Sequence, residues 1–498
     1  MFRKTIILLV TVIMIAGSAG CSGSVNGVEA TDNAESSSQQ GAILWPENTP
    51  DEETVISTAW EFDRGQISQD DIILAVSPSG KSVLTVDIGT QSINDRLKFG
   101  ANQLGWQLTH ISLYSNQNGA YELSSSIALD AKSDPELNDT LASTDEMGVA
   151  WSADETRVCV SGGATRNLTR YMASNIYLFD FSDNSVKKLT DFDPGREPGA
   201  QADTSVILPR WYKENTITFI KYERNESVLT PTLMSLDIIT GELKLESDLC
   251  VGEEETLFIF DYAIYNDTVY YSRAAFPEEY MGISMAKLNG GQESPQLLLG
   301  IQDVNAEFGF PTDYFLVSRF VSVQISPDGR WMCLTVENMQ FNSLIFPQGR
   351  YMNPFVPEAY LGAIGREYVP SHNVLLFDLE NGTIADPFTS DALYPDIAIV
   401  TAATFAPDGN SLLCAVYGDG GYWAEYSKDD SALYQIRLDD GSFDTVRIYS
   451  GEIGFTPEHL SWYGNKIIKM SSISERPFNN VRLLIPSVFS QNDKLGES

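Results

Sequence analysis

The side chains best suited to recognising a ligand in this chain are arginines and aromatic residues that occur together in loop-forming segments. Arginine forks onto carboxylates and stacks on rings, and Tyr and Trp give large contact areas at modest cost in side-chain entropy. Two segments, 337–372 and 417–431, hold Arg350, Tyr351, Arg366, Tyr368, His372, Tyr422 and Trp423. Their composition predicts a recognition surface. The alternative is that these residues pack the loops together and pair with nearby acids.

Signals for catalysis and for metal binding are weak in this sequence. His110, His372 and His459 are the only histidines, too scattered for the spacing of a zinc site. The acids between Asp419 and Asp430 do not follow the spacing of an EF-hand loop. No Gly-x-Ser-x-Gly nucleophile elbow and no phosphate-cradling glycine loop occurs. We therefore expect no metal and no cofactor, and we assign no catalytic residue from the sequence.

Composition and charge exclude several partners. The chain has 498 residues, 43% of them hydrophobic, which is enough to bury a large core. Lys and Arg number 32 against 68 Asp and Glu, for a formal net charge of -36. Such a charge repels phosphate backbones and anionic headgroups at long range. Nucleic acid is therefore not an expected partner.

The first 20 residues have the pattern of an export signal. Arg3 and Lys4 precede an apolar run from Ile6 to Ala16, and small residues lead to Cys21. The end of this stretch, Ser18-Ala19-Gly20-Cys21, resembles a bacterial lipobox, which implies lipidation of Cys21 and an anchor outside the cytoplasm. The lipobox prefers Leu, Val or Ile where Ser18 stands. Ordinary signal-peptidase cleavage with release is therefore the alternative.

The segment 21–50 is rich in Ser, Gly, Asn, Gln and Glu and predicts a flexible tether. No later stretch is long and apolar enough to predict a spanning helix. The expected organisation is thus a signal peptide over 1–20, the tether, and a folded body over 51–490. The folded body would be held at the cell membrane, facing outside the cytoplasm.

Repetition is the main signal in the body. Ile325-Ser326-Pro327-Asp328-Gly329-Arg330 lies between two apolar runs and has the composition of a hairpin turn, in which Pro fixes φ and Gly tolerates positive φ. Related copies occur at Val76–Gly80, Phe405–Gly409 and, degraded, at Trp151–Asp154. Apolar runs without the proline recur at Arg210–Phe219, Phe260–Tyr271 and Leu460–Met470. Each copy is followed by a second hairpin.

These repeats resemble the WD-like repeats of TolB-type β-propellers and of the propellers in prolyl-oligopeptidase relatives. The resemblance covers about residues 70–486 and implies an all-β fold without the hydrolase domain of the peptidases. We expect a single propeller of seven four-stranded blades, with six or eight as alternatives. The units start near Ile72, Gly148, Val206, Phe258, Phe320, Thr401 and His459. The stretch 51–63 is expected to add the closing strand to the last unit.

Three cysteines support this register. Cys159, Cys333 and Cys414 each follow a turn aspartate by five or six residues and fall in the second strand of their units. Equivalent positions in neighbouring blades are farther apart than a disulfide spans. We therefore expect unpaired, buried thiols, with Cys250 likewise free on an outer strand.

Blade topology places the candidate residues. Tight turns fall at one end of a blade, and the connection between its second and third strands falls at the other, where the long segments lie. Tyr222 and Arg273 are expected there in loops 222–231 and 272–283. Arg210 and Arg319, each just before an innermost strand, are expected to border the channel mouth at that end.

Two classes of function remain open. The favoured one is a tethered binding or scaffold propeller that holds a protein, peptide or acidic glycan on its loop face. The rival is an enzyme, a polysaccharide lyase or glycan hydrolase, with a site at the channel mouth built from Arg319, Tyr351, His372, His459 and loop carboxylates. A histidine within about 3–5 Å of a carboxylate or a tyrosine over the channel would favour the enzyme, because acid and base must reach one substrate. A TolB-like role in envelope assembly rests on the resemblance alone.

Overall fold

The fold was described from a computed structural model of the chain. It describes residues 42–44, 55–56, 59–61, 65–68, 71–88, 108–117, 120–130, 134–144, 146–162, 175–193, 204–225, 228–250, 256–276, 281–288, 294–307, 319–337, 374–387, 399–406, 409–417, 432–439, 442–450, 459–463, 467–472 and 480–484. These residues form strands almost throughout, in seven antiparallel sheets.

The first four sheets each contain four strands that follow one another in the chain. The first sheet is β4 Ile72–Val76, β5 Ser82–Ile88, β6 Leu108–Gln117 and β7 Ala120–Ala128. The second is β8 Val149–Trp151, β9 Arg157–Val160, β10 Tyr177–Asp180 and β11 Ser185–Lys188. The third is β12 Thr204–Lys213, β13 Thr216–Asn225, β14 Val228–Asp237 and β15 Leu243–Asp248. The fourth is β16 Thr256–Tyr265, β17 Thr268–Phe276, β18 Gly282–Lys287 and β19 Gln296–Gly300.

The last two sheets recruit strands from the N-terminal part of the chain. The fifth sheet is β20 Arg319–Ile325, β21 Trp331–Glu337, β22 Val374–Asp378 and β23 Thr383–Ala385. The sixth is β24 Ile399–Phe405, β25 Ser411–Tyr417, β26 Ala432–Asp439 and β27 Ser442–Ser450, extended by β1 Ala42–Leu44 and β2 Val55–Ile56. The seventh is β28 His459–Tyr463, β29 Ile467–Ser472 and β30 Asn480–Leu484, with β3 Ala59–Glu61 on the outer edge of β30.

Helices are few among the described residues. They are α1 Pro135–Ser143, α2 Ile301–Glu307 and a single 3-10 turn, Glu146–Gly148. Asp134 caps α1 by accepting the backbone N–H of Leu137, and proline occupies the first helical position. No helix in the described part of the chain is long and apolar enough to cross a membrane.

Apolar side chains fill the spaces between consecutive sheets. Leu84 and Leu113 of the first sheet share a cluster with Val158 and Phe179 of the second. Similar clusters join the second and third, third and fourth, fourth and fifth, and fifth and sixth sheets. Four-stranded antiparallel sheets stacked face to face in chain order form a β-propeller, as the repeats predict. The strand starts fall within about two residues of the predicted ones, and the blade number stays a prediction.

Serine sets the geometry of the turns between first and second strands. In the turn at Ser326, the backbone N–H of Trp331 donates to Ser326 Oγ at 2.8 Å, and Gly329 N–H donates to Ser326 O at 2.8 Å. The turns at Ser77 and Ser152 repeat the serine bond. The end of the sheets that carries these turns is called the turn end below, and the opposite end is called the loop end.

Each innermost strand of five sheets is also irregular at an equivalent place. Register shifts occur in β4, β12, β16, β20 and β24, about midway along each strand. In β12 the irregularity includes Leu208, whose φ of 54° is positive. A bulge bends the strand locally and changes the direction in which nearby side chains project.

Candidate functional site

The best-defined polar site lies where the innermost strands of the third, fourth and fifth sheets meet. Arg210 of β12 forms an ion pair with Asp261 of β16 through Nη2 and Oδ1. Its guanidinium carbon lies 4.7 Å from the centroid of the Tyr262 ring, a cation–π distance. The Arg210 side chain is 39% exposed and that of Asp261 is 5% exposed. The carboxylate is therefore buried, while the guanidinium group remains in partial contact with solvent.

Backbone groups hold Asp261 in place. Its Oδ2 accepts the N–H of Val323 on β20 at 2.8 Å, and its Oδ1 accepts the N–H of Tyr262 at 2.9 Å. Val323 and Tyr262 are both fully buried. One carboxylate thus joins three sheets, and its charge is stabilised by N–H dipoles as well as by Arg210.

The hydroxyl of Tyr262 fixes the ring beneath Arg210. It donates to the carbonyl of Leu208 at 3.1 Å and lies 2.9 Å from Thr218 Oγ1. Burial raises the pKa of Tyr262 far above its usual range, despite the nearby charge of Arg210 and the bond to Thr218. The Tyr262 phenol therefore stays neutral at physiological pH.

Gln324 extends the same arrangement by one sheet. Its Nε2 donates to the carbonyl of Ala403 on β24 at 2.8 Å. Arg210, Asp261 and Gln324 thus each bond to the next innermost strand. We call these three residues the inner ladder.

The structure corrects the predicted position of Arg210. It does not precede β12 but lies within it, opposite Thr218 and near the turn end. The reason is that β12 begins at Thr204 and includes the bulge at Leu208, which the sequence pattern does not reveal. Arg319 is the first residue of β20, opposite Glu337, and His459 is the first residue of β28, opposite Ser471. Both strand positions are at the loop end.

The other predicted site residues lie outside the described residues. They are Cys21, Arg350, Tyr351, Arg366, Tyr368, His372, Tyr422 and Trp423. Their roles stay predictions.

Two residues expected in loops are instead structural. Arg273 lies in β17, is 1% exposed, and donates from Nη1 to Ser284 Oγ at 3.4 Å. Tyr222 lies in β13, is likewise 1% exposed, and its oxygen accepts the N–H of Ile259 at 2.6 Å. The hairpin between β13 and β14 is tighter than predicted, because both strands continue further toward the loop end. For these two residues the packing interpretation is the correct one.

One histidine does approach a carboxylate, but away from the innermost strands. His110 Nδ1 lies 3.9 Å from Asp87 Oδ2 and 3.1 Å from Thr109 Oγ1, which donates to the same Asp87 oxygen at 2.9 Å. These residues belong to β5 and β6, the second and third strands of the first sheet. The contact therefore does not meet the condition set above for an enzyme site over the channel.

At the turn end, the hairpins of six consecutive sheets touch one another. Glu155 accepts from the N–H and the Oγ of Ser79 in the preceding sheet, at 2.9 and 2.8 Å. Further contacts are Arg157 with Asn215, Tyr212 with Asp267, and Tyr265 with the carbonyl of Asp328. A Cβ on Gly409 would lie 3.5 Å from Pro327, which places the fifth and sixth turns together. Neighbouring hairpins are therefore in contact along the turn end from the first sheet to the sixth.

The four cysteines of the body are free, as predicted. Cys159, Cys333 and Cys414 are buried in β9, β21 and β25, and Cys250 is half-buried. Burial raises the pKa of all four thiols, which favours the protonated form at neutral pH. Among the described residues, no group of three or more His, Cys, Asp or Glu side chains is placed to hold a metal ion.

No family model matches the chain, and no curated protein does. Solved structures with a similar fold include the β-propeller domain of the Trilobed protease from Pyrococcus furiosus, at 10% identity and a TM-score of 0.41 over 83% of this chain and 95% of that one. The RRP9 WD40 repeats have 9% identity and a TM-score of 0.43 over 84% and 94%. An oligogalacturonate lyase in complex with manganese has 11% identity and a TM-score of 0.39 over 84% and 96%.

Proposed function

We propose that this chain is a membrane-tethered binding or scaffold propeller that recognises a protein, peptide or acidic glycan with its loop end. The observation that supports the proposal is the difference in connection length between the turn end and the loop end of the sheets. At the turn end, short hairpins contact each other from the first sheet to the sixth. The long connections 89–107, 338–373 and 418–431 all leave from the loop end, between second and third strands.

Long connections that leave from one end of a sheet scaffold favour a role of that end in recognition. Long connections in compact domains are uncommon without a role in binding or catalysis. The connections 338–373 and 418–431 also carry the arginines and aromatic residues typical of protein interfaces. This composition is the reason that we propose binding as the function of the loop end.

The test is a capture experiment on native membranes with the chain from Cys21 onward, comparing wild type with Arg350→Ala/Arg366→Ala. The double variant should lose about 1.5–3 kcal/mol of binding free energy for each charged hydrogen bond removed, with an unchanged melting temperature. The matched control is Lys81→Ala/Lys213→Ala, which removes the same charge at the turn end. Equal capture by both variants would refute recognition by these arginines.

Anchoring is tested separately. We propose that Cys21 is lipidated and holds the body at the outer side of the cell membrane. Cys21→Ser should release the protein into the medium and abolish incorporation of labelled palmitate. Membrane retention of the variant, without palmitate in the wild type, would exclude a lipid anchor while leaving loop-end binding open.

A further inference from the structure

Arg210 combines a fixed guanidinium group with an open edge. The Tyr262 ring supports one face of the group, and Asp261 holds Nη2. The side chain is nevertheless 39% exposed, against 5% for its partner. Because β12 is an innermost strand, we infer that the exposed part of the group faces the central channel of the propeller.

Most of the hydrogen-bonding capacity of Arg210 is unused. A guanidinium group has five N–H donors in a planar fork. In the described part of the chain, its acceptor is Asp261, which bonds to Nη2. Asp261 in turn accepts two backbone N–H groups, from Val323 and Tyr262. The carboxylate is thus stabilised from three sides and does not depend on the whole guanidinium group.

A cation held in this way is preorganised for an oxyanion. Ligand binding would remove little side-chain entropy from Arg210, because the Tyr262 ring and the Asp261 carboxylate already hold its guanidinium group in the folded protein. The fork geometry matches a carboxylate in two parallel N–H···O bonds. The net charge of -36 repels anions at long range, so that short-range complementarity must supply the affinity.

We propose that Arg210 is the carboxylate-binding residue of a ligand site in the central channel, buttressed by Asp261 and Tyr262. This site is separate from the loop-end surface proposed above and does not depend on it. The ligand class is a carboxylate on a group narrow enough to enter the channel beside the inner ladder.

Arg330 provides a matched comparison within the same molecule. Its guanidinium carbon lies 5.0 Å from the centroid of the Trp331 ring, and its Nε lies 3.6 Å from Asp378 Oδ2. The two side chains are 33% and 3% exposed, close to the values for Arg210 and Asp261. Arg330, however, lies in the turn before β21 and not on an innermost strand. Arg330 therefore serves as a reference for an arginine of similar exposure, with a ring beside it and a buried carboxylate nearby, that does not lie on an innermost strand.

The experiment is a titration of the full-length chain, labelled with [15N]arginine, with acetate and with its neutral isostere acetamide at constant ionic strength. Arg210→Lys and Arg330→Lys identify the two Nε–Hε signals. We expect the chemical shift of the Arg210 signal to change saturably with acetate, with a half-saturation concentration at least five-fold below that of Arg330. Acetamide should leave the Arg210 signal unchanged. If the half-saturation concentration for acetate is the same for Arg210 and Arg330, or if acetate and acetamide shift the Arg210 signal equally, the ion pair has a structural role only.

A second measurement avoids substitutions. Phenylglyoxal modifies accessible guanidinium groups, and the modified peptides can be counted by mass spectrometry in the wild-type chain. Acetate should slow the modification of Arg210 at least three-fold and leave that of Arg330 unchanged. Equal protection of both arginines would overturn the proposal even if Arg210→Lys failed to fold.

Discussion

Asp261 shows how much structure a single buried carboxylate can organise. It is bonded to Arg210 from one neighbouring sheet and to Val323 N–H from the other. Nothing in the sequence around Asp261 indicates this role, because its partners lie about fifty and sixty residues away. Arg210 was identifiable as a candidate from its type and from its place in a repeat. Its partner was not, because pairing between sheets depends on the bulge in β16.

We predict that Asp261→Ala lowers the free energy of unfolding by about 3 kcal/mol, since it leaves two buried backbone N–H groups without their acceptor. Arg210→Lys should cost only about 1 kcal/mol, because an ammonium group can still approach the carboxylate. Urea unfolding monitored by tryptophan fluorescence gives both values. Glu122→Ala, on the exposed face of β7, serves as the control and should leave the unfolding midpoint unchanged. A loss for Asp261→Ala as small as that control would contradict the bracing role.

Buried tyrosines give a second prediction at this scale, concerning alkaline pH. Burial raises the pKa of Tyr121 to about 12, and burial together with the Asp71 charge raises that of Tyr114 to about 12. In the unfolded chain both ionise near 10. Raised pKa values in the folded state mean that stability is complete below pH 10 and falls as the pH rises toward 12.

The measurement is the urea midpoint at pH 8, 9.5 and 11. Tyr121→Phe loses the hydrogen bond to the Gly80 carbonyl and should be less stable at pH 8. It should also lose less stability than the wild type between pH 9.5 and 11. Parallel pH profiles for the two proteins would show that Tyr121 ionisation does not govern alkaline unfolding.

Among the elements, the turns between first and second strands are the part that sequence reasoning predicted best. The residues Ser, Pro, Asp and Gly act locally, and each has a conformational role that does not need the rest of the fold. The boundaries of the loops between second and third strands were predicted less well. The strands β13 and β17 run further than expected, since Tyr222 and Arg273 are polar or charged yet lie in the packed interior. Burial of such residues depends on neighbouring sheets, which local patterns do not encode.

Two glycines make a matched pair for testing the contact between turns. Gly329 has a φ of 78°, and a Cβ there would lie 2.1 Å from the ring of Tyr265 in the neighbouring sheet. Gly382 has a φ of 69° with no atom within 4 Å of its Cβ position. Gly382→Ala should cost about 1 kcal/mol for positive φ alone. Gly329→Ala should cost roughly 3 kcal/mol, because Tyr265 must also move and lose its bond to Asp328.

Thermodynamic cycles separate the two contributions. In a Tyr265→Ala background, Gly329→Ala should cost no more than Gly382→Ala, since the ring is gone. If Gly329→Ala stays equally costly in that background, the turns do not depend on each other. The unfolding free energies of five chains decide between these outcomes: the wild type, the three single variants and the double variant Tyr265→Ala/Gly329→Ala.

For the whole molecule, composition and repetition were sufficient to predict an all-β propeller. The 43% hydrophobic content was enough for a large core, and the recurring turn motif followed by a second hairpin indicated stacked sheets. Composition and repetition did not predict how the residues of the proposed recognition surface are arranged. Arg350, Arg366 and their aromatic neighbours lie in insertions between strands, where no repeat constrains the chain.

Truncation tests the contribution of the N-terminal strands at this scale. The strand β3 pairs with β30 through Ala59 opposite Leu484 and Glu61 opposite Arg482. We predict that deleting 51–63 exposes the edge of β30, lowers the melting temperature and promotes aggregation. Deleting 22–40 should change neither property. The two melting temperatures, with light scattering on heating, decide the point, and equal values would remove the closing role of β3.

The pairing of β3 with β30 also bears on where the chain can begin and end. Strands from the two ends of the body lie side by side in the seventh sheet, so no sheet is topologically first. A gene that linked Leu484 to Ala59 and opened the chain in another crossover would encode a circular permutant that keeps the order of the main sheet strands but lacks β1 and β2 at the edge of β27. In such a protein a tether fused to the new N-terminus would leave from a different sheet, so that the proposed membrane anchor could be attached at a chosen position around the propeller.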